Sequence, residues 1–266
     1  MQNFSDSPAA LIIDLSRDPN SIAPPMELTT KQKQFCGLLV LGFLFAVAVL
    51  AEILFAKSWT QKLTVWEHFS VNISNVVWIH VVSALLLPFF LLGCEKSSLK
   101  LFVACLLNIG IAAFAVNFAK TRIREPRPEY IFKCGTWEKG EPLTGGHTSF
   151  GMPSGHAATT WAASTCILIV LWLAVAEDLK CCKIFLSLLT IILSLAICVG
   201  RAGLKCHSFW QLLWGGICGG IVTPLCYQGF CMFFVFIFSR SNCLAPIAMF
   251  WEFLAFPLAD SLNFSS

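Results

Sequence analysis

The sequence predicts an all-α polytopic membrane protein, six transmembrane helices in a bundle. Three observations carry that reading. Of 266 residues, 57% are hydrophobic and only 12% are charged, against roughly 25% charged in an average soluble domain. The mean hydropathy is +0.74. The few charges sit in short segments that separate apolar runs of about 20 residues, the length that crosses a bilayer as a helix. Such a chain cannot clothe a water-facing surface, which excludes an ordinary soluble enzyme, a disordered chain and a coiled coil. The net charge of +3 is too small to point to nucleic acid.

The elements follow in chain order. Residues 1–34 are a polar leader, rich in proline and aspartate, with a short surface helix expected at Ala10–Leu15. The first span is Phe35–Ala56, with Glu52 its only charge. It starts too far from the N-terminus for a removable signal peptide and reads as an uncleaved anchor. Val71–Cys94 is the second span, with His80 near its middle. Leu101–Ala119, Ala157–Ala176 and Ile184–Gly200 are the third to fifth. The sixth lies within Ser208–Ser239, too long for one untilted crossing and expected to kink at Pro224. The membrane domain is therefore 35–240. The tail, 241–266, holds a shorter apolar piece, Leu244–Leu258, that reads as interfacial. Six spans place both termini on one side, with loops 57–70, 120–155 and 201–207 on the other. Lysine and arginine divide almost evenly between the two sides, so charge does not set the orientation.

Chemistry is expected where the odd loops meet. The long loop opens with Lys120-Thr121-Arg122-Ile123-Arg124-Glu125-Pro126-Arg127-Pro128 and closes with Pro153-Ser154-Gly155-His156 at the head of the fourth span. The next loop on that side reads Gly200-Arg201-Ala202-Gly203-Leu204-Lys205-Cys206-His207. One membrane face thus gathers Lys120, Arg127, Arg201, His156 and His207. Arginine offers paired donors to a phosphate and lysine a point charge. Ser154 and Gly155 precede a helix start, where N–H groups and the helix dipole favour an anion. One neutral imidazole can attack phosphorus and the other can protonate the leaving oxygen. No metal or other cofactor enters this scheme.

These segments resemble the type 2 phosphatidic acid phosphatase family, which also embraces glucose-6-phosphatase and the vanadium haloperoxidases. Its pattern is K-x6-R-P, P-S-G-H, then S-R-x5-H-x3-D. The chain has Lys120…Arg127-Pro128, Pro153-Ser154-Gly155-His156 and Gly200-Arg201…His207…Gln211, in that order and on one side, over roughly residues 35–240. The resemblance implies that Lys120, Arg127, Arg201, Ser154 and Gly155 hold phosphate. It makes His207 the phosphohistidine and His156 the general acid and then base. It implies a site facing the periplasm or the lumen of an organelle such as the endoplasmic reticulum. The expected activity is metal-independent hydrolysis of a phosphomonoester or diphosphate on a membrane lipid. The alternatives are phosphotransfer to another lipid and a non-catalytic phospholipid-binding protein.

The chain departs from the pattern twice. Gly200 replaces Ser, which removes a hydroxyl expected near the phosphate. Gln211 replaces the Asp that orients the nucleophile, as in the glucose-6-phosphatase branch. Gln can accept the imidazole N–H but brings no charge, so Gln211→Asp is expected to raise turnover nearly tenfold. A stand-in carboxylate would have to be Glu67, Glu125, Glu129, Glu138 or Glu141.

The remaining polar residues read more plainly. His80 is expected to be a hydrogen-bonded bundle histidine, His68 interfacial and His147 a solvated loop residue. Glu52, Asn108 and Asn117 are expected to join helices. Arg122 and Arg124 fit equally an anion site and a juxtamembrane basic cluster. The thirteen cysteines show neither a disulfide framework nor a zinc spacing. Cys134 and Cys206 share the proposed active side but are not expected to pair. Cys181 and Cys182 on the other side are a candidate acylation site.

Overall fold

The computed structural model describes residues 29–55, 65–128, 137–138, 141–142 and 150–238. The expected leader helix, the C-terminal tail, Glu129, Cys134, His147, and the side chains of Glu52, Glu67, His68, Glu138 and Glu141 lie outside the described residues. Eight α-helices are present among them: α1 (Thr30–Phe55), α2 (Val65–Asn75), α3 (Val77–Leu92), α4 (Lys96–Ile123), α5 (Gly155–Ala174), α6 (Lys180–Gly203), α7 (Phe209–Ile217) and α8 (Thr223–Phe238). A two-residue antiparallel pairing, Trp137–Glu138 with Glu141–Pro142, lies in the long loop.

Five stretches are long and apolar enough to cross a membrane: Phe69–Leu92, Lys96–Ile123, Gly155–Ala174, Glu177–Gly203 and Phe209–Ile237. They match the second to sixth expected spans. In α1 the apolar stretch is shorter, Gln32–Val47. That helix starts five residues before Phe35 because Thr29 and Gln32 form a reciprocal cap. The Thr29 N–H donates to Gln32 Oε1 at 2.8 Å, and the Gln32 N–H donates to Thr29 Oγ1 at 3.3 Å.

The bundle is built around α5, which packs on α3, α4, α6 and α7. Its buried positions include Ala157, Ala158, Ala162, Ala163, Ser164 and Cys166. Small side chains let neighbouring backbones approach, the main source of helix association where water provides no drive. Large apolar residues such as Phe114, Trp78 and Phe185 point outward instead, as a lipid-facing surface requires. Inside, His80 Nε2 meets Ser164 Oγ at 2.8 Å, and Ser164 meets Ser194 Oγ, tying α3, α5 and α6 together. Asn108 joins α4 to α5 by donating to Cys166 Sγ at 3.4 Å. Asn117 is exposed rather than interhelical.

The last span is interrupted by a π-helical turn, Cys218–Val222, placed just before Pro224 rather than at it. Gly219 lies so close to the Ala158 carbonyl that a side chain cannot fit there. Pro224 has no N–H to give to the Gly220 carbonyl one turn back. That carbonyl accepts the Thr165 hydroxyl at 3.0 Å instead, and the Cys218 carbonyl accepts the Thr223 hydroxyl at 2.7 Å. The widened turn thus keeps α7 against α5 without stranding polar groups in the membrane.

Candidate active site

The ends of α4 and α6 and the starts of α5 and α7 meet at one end of the bundle. Ile123 closes α4, and Arg124 turns the chain with a left-handed backbone (φ 53°) while its N–H caps the Lys120 carbonyl. Glu125, Pro126 and Arg127 then run beside the segment entering α5. Pro126 pairs with Phe150, and the Gly151 N–H donates to the Glu125 carbonyl at 2.8 Å. Ser154 caps α5, and its own N–H donates to the Gln211 carbonyl in α7 at 2.9 Å. At Gly215, an added Cβ would stand 2.5 Å from the Ser154 carbonyl. That close approach sets the start of α7 against the start of α5.

His207 lies just before α7 and is only 3% exposed. Its Nδ1 is 3.0 Å from the Gly151 carbonyl and 3.3 Å from Gln211 Oε1. Both partners can only accept, so Nδ1 carries the proton and Nε2 keeps its lone pair. Burial, then the charges of Arg127, Arg201 and Lys120, hold this imidazole well below its ordinary pKa, and the Gln211 bond opposes them. Its neutral form is therefore favoured. The same three cations act on His156, in the first turn of α5. A methyl on Gly155 would lie 3.4 Å from Lys120 Nζ, so this lysine reaches the helix start itself. Arg201, in the last turn of α6, is 6% exposed, and its Nε is buried with no hydrogen-bond partner among the described residues. A buried guanidinium N–H is costly to leave unmatched, and an anion among these cations would match it. Lys120, Arg127, Arg201, His156, His207, Gly155 and Gln211 are thus brought together. Ser154 is fully buried and is used to cap α5 and to hold α7.

Gln211 is saturated. Its Oε1 accepts from the Ser208 N–H at 3.2 Å and from His207. Its Nε2 donates to Glu125 Oε1 at 2.8 Å and to the Pro126 carbonyl at 2.9 Å. Ser208 and Gln211 form a capping box at the start of α7. Of the five candidate glutamates, Glu125 alone has a described side chain, and it reaches Gln211.

One expectation is corrected. Position 200 does not face Lys120, Arg127 and Arg201. A Cβ there would lie 2.5 Å from Ile73 Cγ2 and 3.1 Å from Ser74 Oγ, so Gly200 serves the packing of α6 on α2. Cys206 is disulfide-bonded, while Cys134, with which it was not expected to pair, lies outside the described residues. The other described cysteines are free, so its partner lies outside the described residues. Among the described residues, no group of three or more His, Cys, Asp or Glu side chains is placed to hold a metal ion.

An apolar groove of about 500 Å³ lies between α5, α6 and α7. Trp161 of α5 lies at its base, with Val199 and Ala202 from α6 and Phe209, Leu213 and Gly216 from α7 around it. Ala202 follows Arg201 in the chain, and Phe209 lies two residues after His207, so one end of the groove lies at the same end of the bundle as the site. Phe209 and Val199 are largely exposed on the outer surface of the bundle.

A helical membrane bundle with two histidines and three cations gathered at one end has the chemistry of a site for a phosphate ester. A family model described as the PAP2 superfamily matches residues 101–240, more than half of the chain, and this chain belongs to that superfamily, whose phosphatases act on phosphate esters. No curated protein and no solved structure matches the chain at a significant level.

Proposed function

We propose that the chain is an integral-membrane phosphatase that removes a phosphomonoester or diphosphate group from a lipid, through a phosphohistidine and without a metal. The observation that carries this reading is the His207 ring. Its Nδ1–H is held by the Gly151 carbonyl and Gln211, which leaves the Nε2 lone pair available among three cations. In the first step Nε2 forms a bond to phosphorus as the bond to the lipid oxygen breaks, and His156, protonated once the bound phosphate offsets the three cations, gives that oxygen a proton. In the second, His156 takes a proton from water as the water oxygen attacks phosphorus and the P–N bond breaks. Lys120, Arg127 and Arg201 offset the charge on the phosphoryl oxygens throughout. The Gly155 and His156 N–H groups, with no carbonyl one turn back within α5, add donors.

The groove supports a lipid as the substrate. It is apolar, one end of it lies at the cations' end of the bundle, and it reaches the outer surface, so a hydrocarbon chain can lie there while the phosphate stays at the interface. The Cys206 disulfide supports an active face in an oxidising compartment, such as a periplasm or lumen.

The test is phosphate release by the purified protein from lipid phosphates of graded chain length, beside His207→Ala. Turnover that rises with chain length and vanishes in His207→Ala is expected. Full activity in the variant overturns the nucleophile, and equal use of short-chain esters overturns the groove. Affinity without turnover would make the chain a phospholipid binder, and a phosphorylated acceptor in place of free phosphate would make it a transferase.

A further inference from the structure

We propose that Glu125 is a positioning residue for His207, acting through the side-chain amide of Gln211. This rests on the reading of His207 as the nucleophile. The links are all short: Glu125 Oε1 accepts from Gln211 Nε2 at 2.8 Å, and Gln211 Oε1 accepts the His207 Nδ1 proton at 3.3 Å. The pair divides the task that a single aspartate performs in the pattern S-R-x5-H-x3-D.

The amide can face only one way. Turning it over would set its oxygen against the Glu125 carboxylate and the Pro126 carbonyl, and its N–H groups against the Ser208 N–H and the His207 Nδ1–H. All four would be repulsive. Glu125 and Pro126 therefore aim Oε1 at the imidazole. Glu125 also holds the second acceptor of His207, because its backbone carbonyl receives the Gly151 N–H at 2.8 Å and the Gly151 carbonyl receives the imidazole proton. The fit at Gly151 is close: a Cβ there would come within 2.5 Å of both the oxygen and nitrogen of the Gln211 amide.

The charge adds to the geometry. An amide that donates to a carboxylate is polarised, and its oxygen becomes a stronger acceptor. As Nε2 bonds to phosphorus, the ring gains positive character, and a stronger acceptor at Nδ1 favours that change. Glu125 thus lowers the barrier without touching the substrate.

The experiment compares wild type, Glu125→Gln, Gln211→Glu and the exchange variant Glu125→Gln/Gln211→Glu on one lipid phosphate, with kcat and KM measured separately. In Glu125→Gln, the new side-chain oxygen still accepts from Gln211, so the shape is kept and the charge is lost. We expect kcat to fall about fivefold to tenfold with KM unchanged or lowered, because the carboxylate's residual repulsion of the phosphate goes with its charge. Gln211→Glu sets two carboxylates face to face and should lose more. In the exchange variant residue 125 donates to a carboxylate that contacts His207 directly, and kcat should recover at least about threefold over Gln211→Glu alone. Glu125→Gln with wild-type kcat overturns the proposal, as does a loss seen only in KM. An exchange variant no better than Gln211→Glu also overturns it. If Gln211→Glu does not fold, the kcat and KM of Glu125→Gln decide alone. His207→Ala separates the two readings: full turnover there removes the nucleophile itself. An inactive His207→Ala beside an unaffected Glu125→Gln removes only the relay.

Discussion

Gln211→Asp, which the sequence pattern suggests as an improvement, is expected to slow the enzyme. The wild-type amide gives two protons away, one to Glu125 and one to the Pro126 carbonyl. A carboxylate has none to give. The bond to a charged partner is worth about 1.5–3 kcal/mol and the one to a carbonyl about 1 kcal/mol. Aspartate is also shorter by one methylene, so it cannot hold His207 and stay close to Glu125 at once. If it holds the imidazole, it gains about 1 kcal/mol from a charged acceptor in place of a neutral one. Two carboxylates at roughly 4 Å repel by about 4 kcal/mol at an effective dielectric constant near 20, unless one binds a proton. The losses exceed the gain by at least about 1.5–3 kcal/mol. At about 1.4 kcal/mol per decade, a tenfold to hundredfold fall in kcat is expected if this misalignment is felt at the reacting nitrogen. The assay is kcat from pH 5 to 9 for both proteins on one lipid phosphate. A variant faster than wild type at neutral pH would show that the Glu125–Gln211 contact is not made in the working enzyme.

Two further outcomes follow from packing and charge. Gly215→Val forces a side chain against the Ser154 carbonyl and Ala157. Overpacking of this kind costs about 1–3 kcal/mol, so thermal unfolding in detergent should begin several degrees lower and activity should fall. Gly110→Ala, where an added Cβ meets nothing within 4 Å, should change neither. His207 is held neutral by burial and by Arg127, Arg201 and Lys120, while the unfolded chain protonates at about 6.5. Its neutral burial thus adds stability that is complete above about pH 6.5 and is lost as pH falls toward the lowered folded value. Thermal unfolding from pH 8 to 4.5 should lose up to about 1.4 kcal/mol per pH unit more in wild type than in His207→Gln. Equal slopes would refute it.

Much of the architecture was legible because charge-free runs and helical spans share a single cause, the cost of a bare charge in hydrocarbon. The motif residues were legible because their spacing in the chain survives folding: helix ends that face one side must meet. What was hidden depends on contacts between segments. Nothing local marks Glu125; the Pro126–Phe150 pairing does, by bringing the loop past Gln211. Gly200 looked like a lost hydroxyl because the motif aligns it with serine, whereas its neighbour in space is Ile73 of α2. Pro224 marked an irregular place correctly, but the strain is taken up one turn earlier, where Gly219 meets α5. The disulfide at Cys206 could not be read from thirteen scattered cysteines, since pairing follows distance in space.

The relay also offers a physical reason for an amide at position 211. In the proposed mechanism the site must bind an anion and yet stabilise positive charge on the His207 ring. A carboxylate hydrogen-bonded to the imidazole does the second and opposes the first. At an effective dielectric constant near 20, a unit negative charge roughly 5 Å from another costs about 3 kcal/mol, and one at twice the distance about half that. Placing the Gln211 amide between them moves the carboxylate back by one side-chain amide and one further hydrogen bond. Most of the directional effect on His207 is kept, because the amide's orientation is set by Glu125 and Pro126. Much of the repulsion felt by the phosphate is removed, because Coulomb energy falls with distance while a held hydrogen bond does not. On this argument the amide–carboxylate pair favours substrate binding over the chemical step. Returning the carboxylate to direct contact, in Glu125→Gln/Gln211→Glu, should therefore raise KM even where it restores kcat.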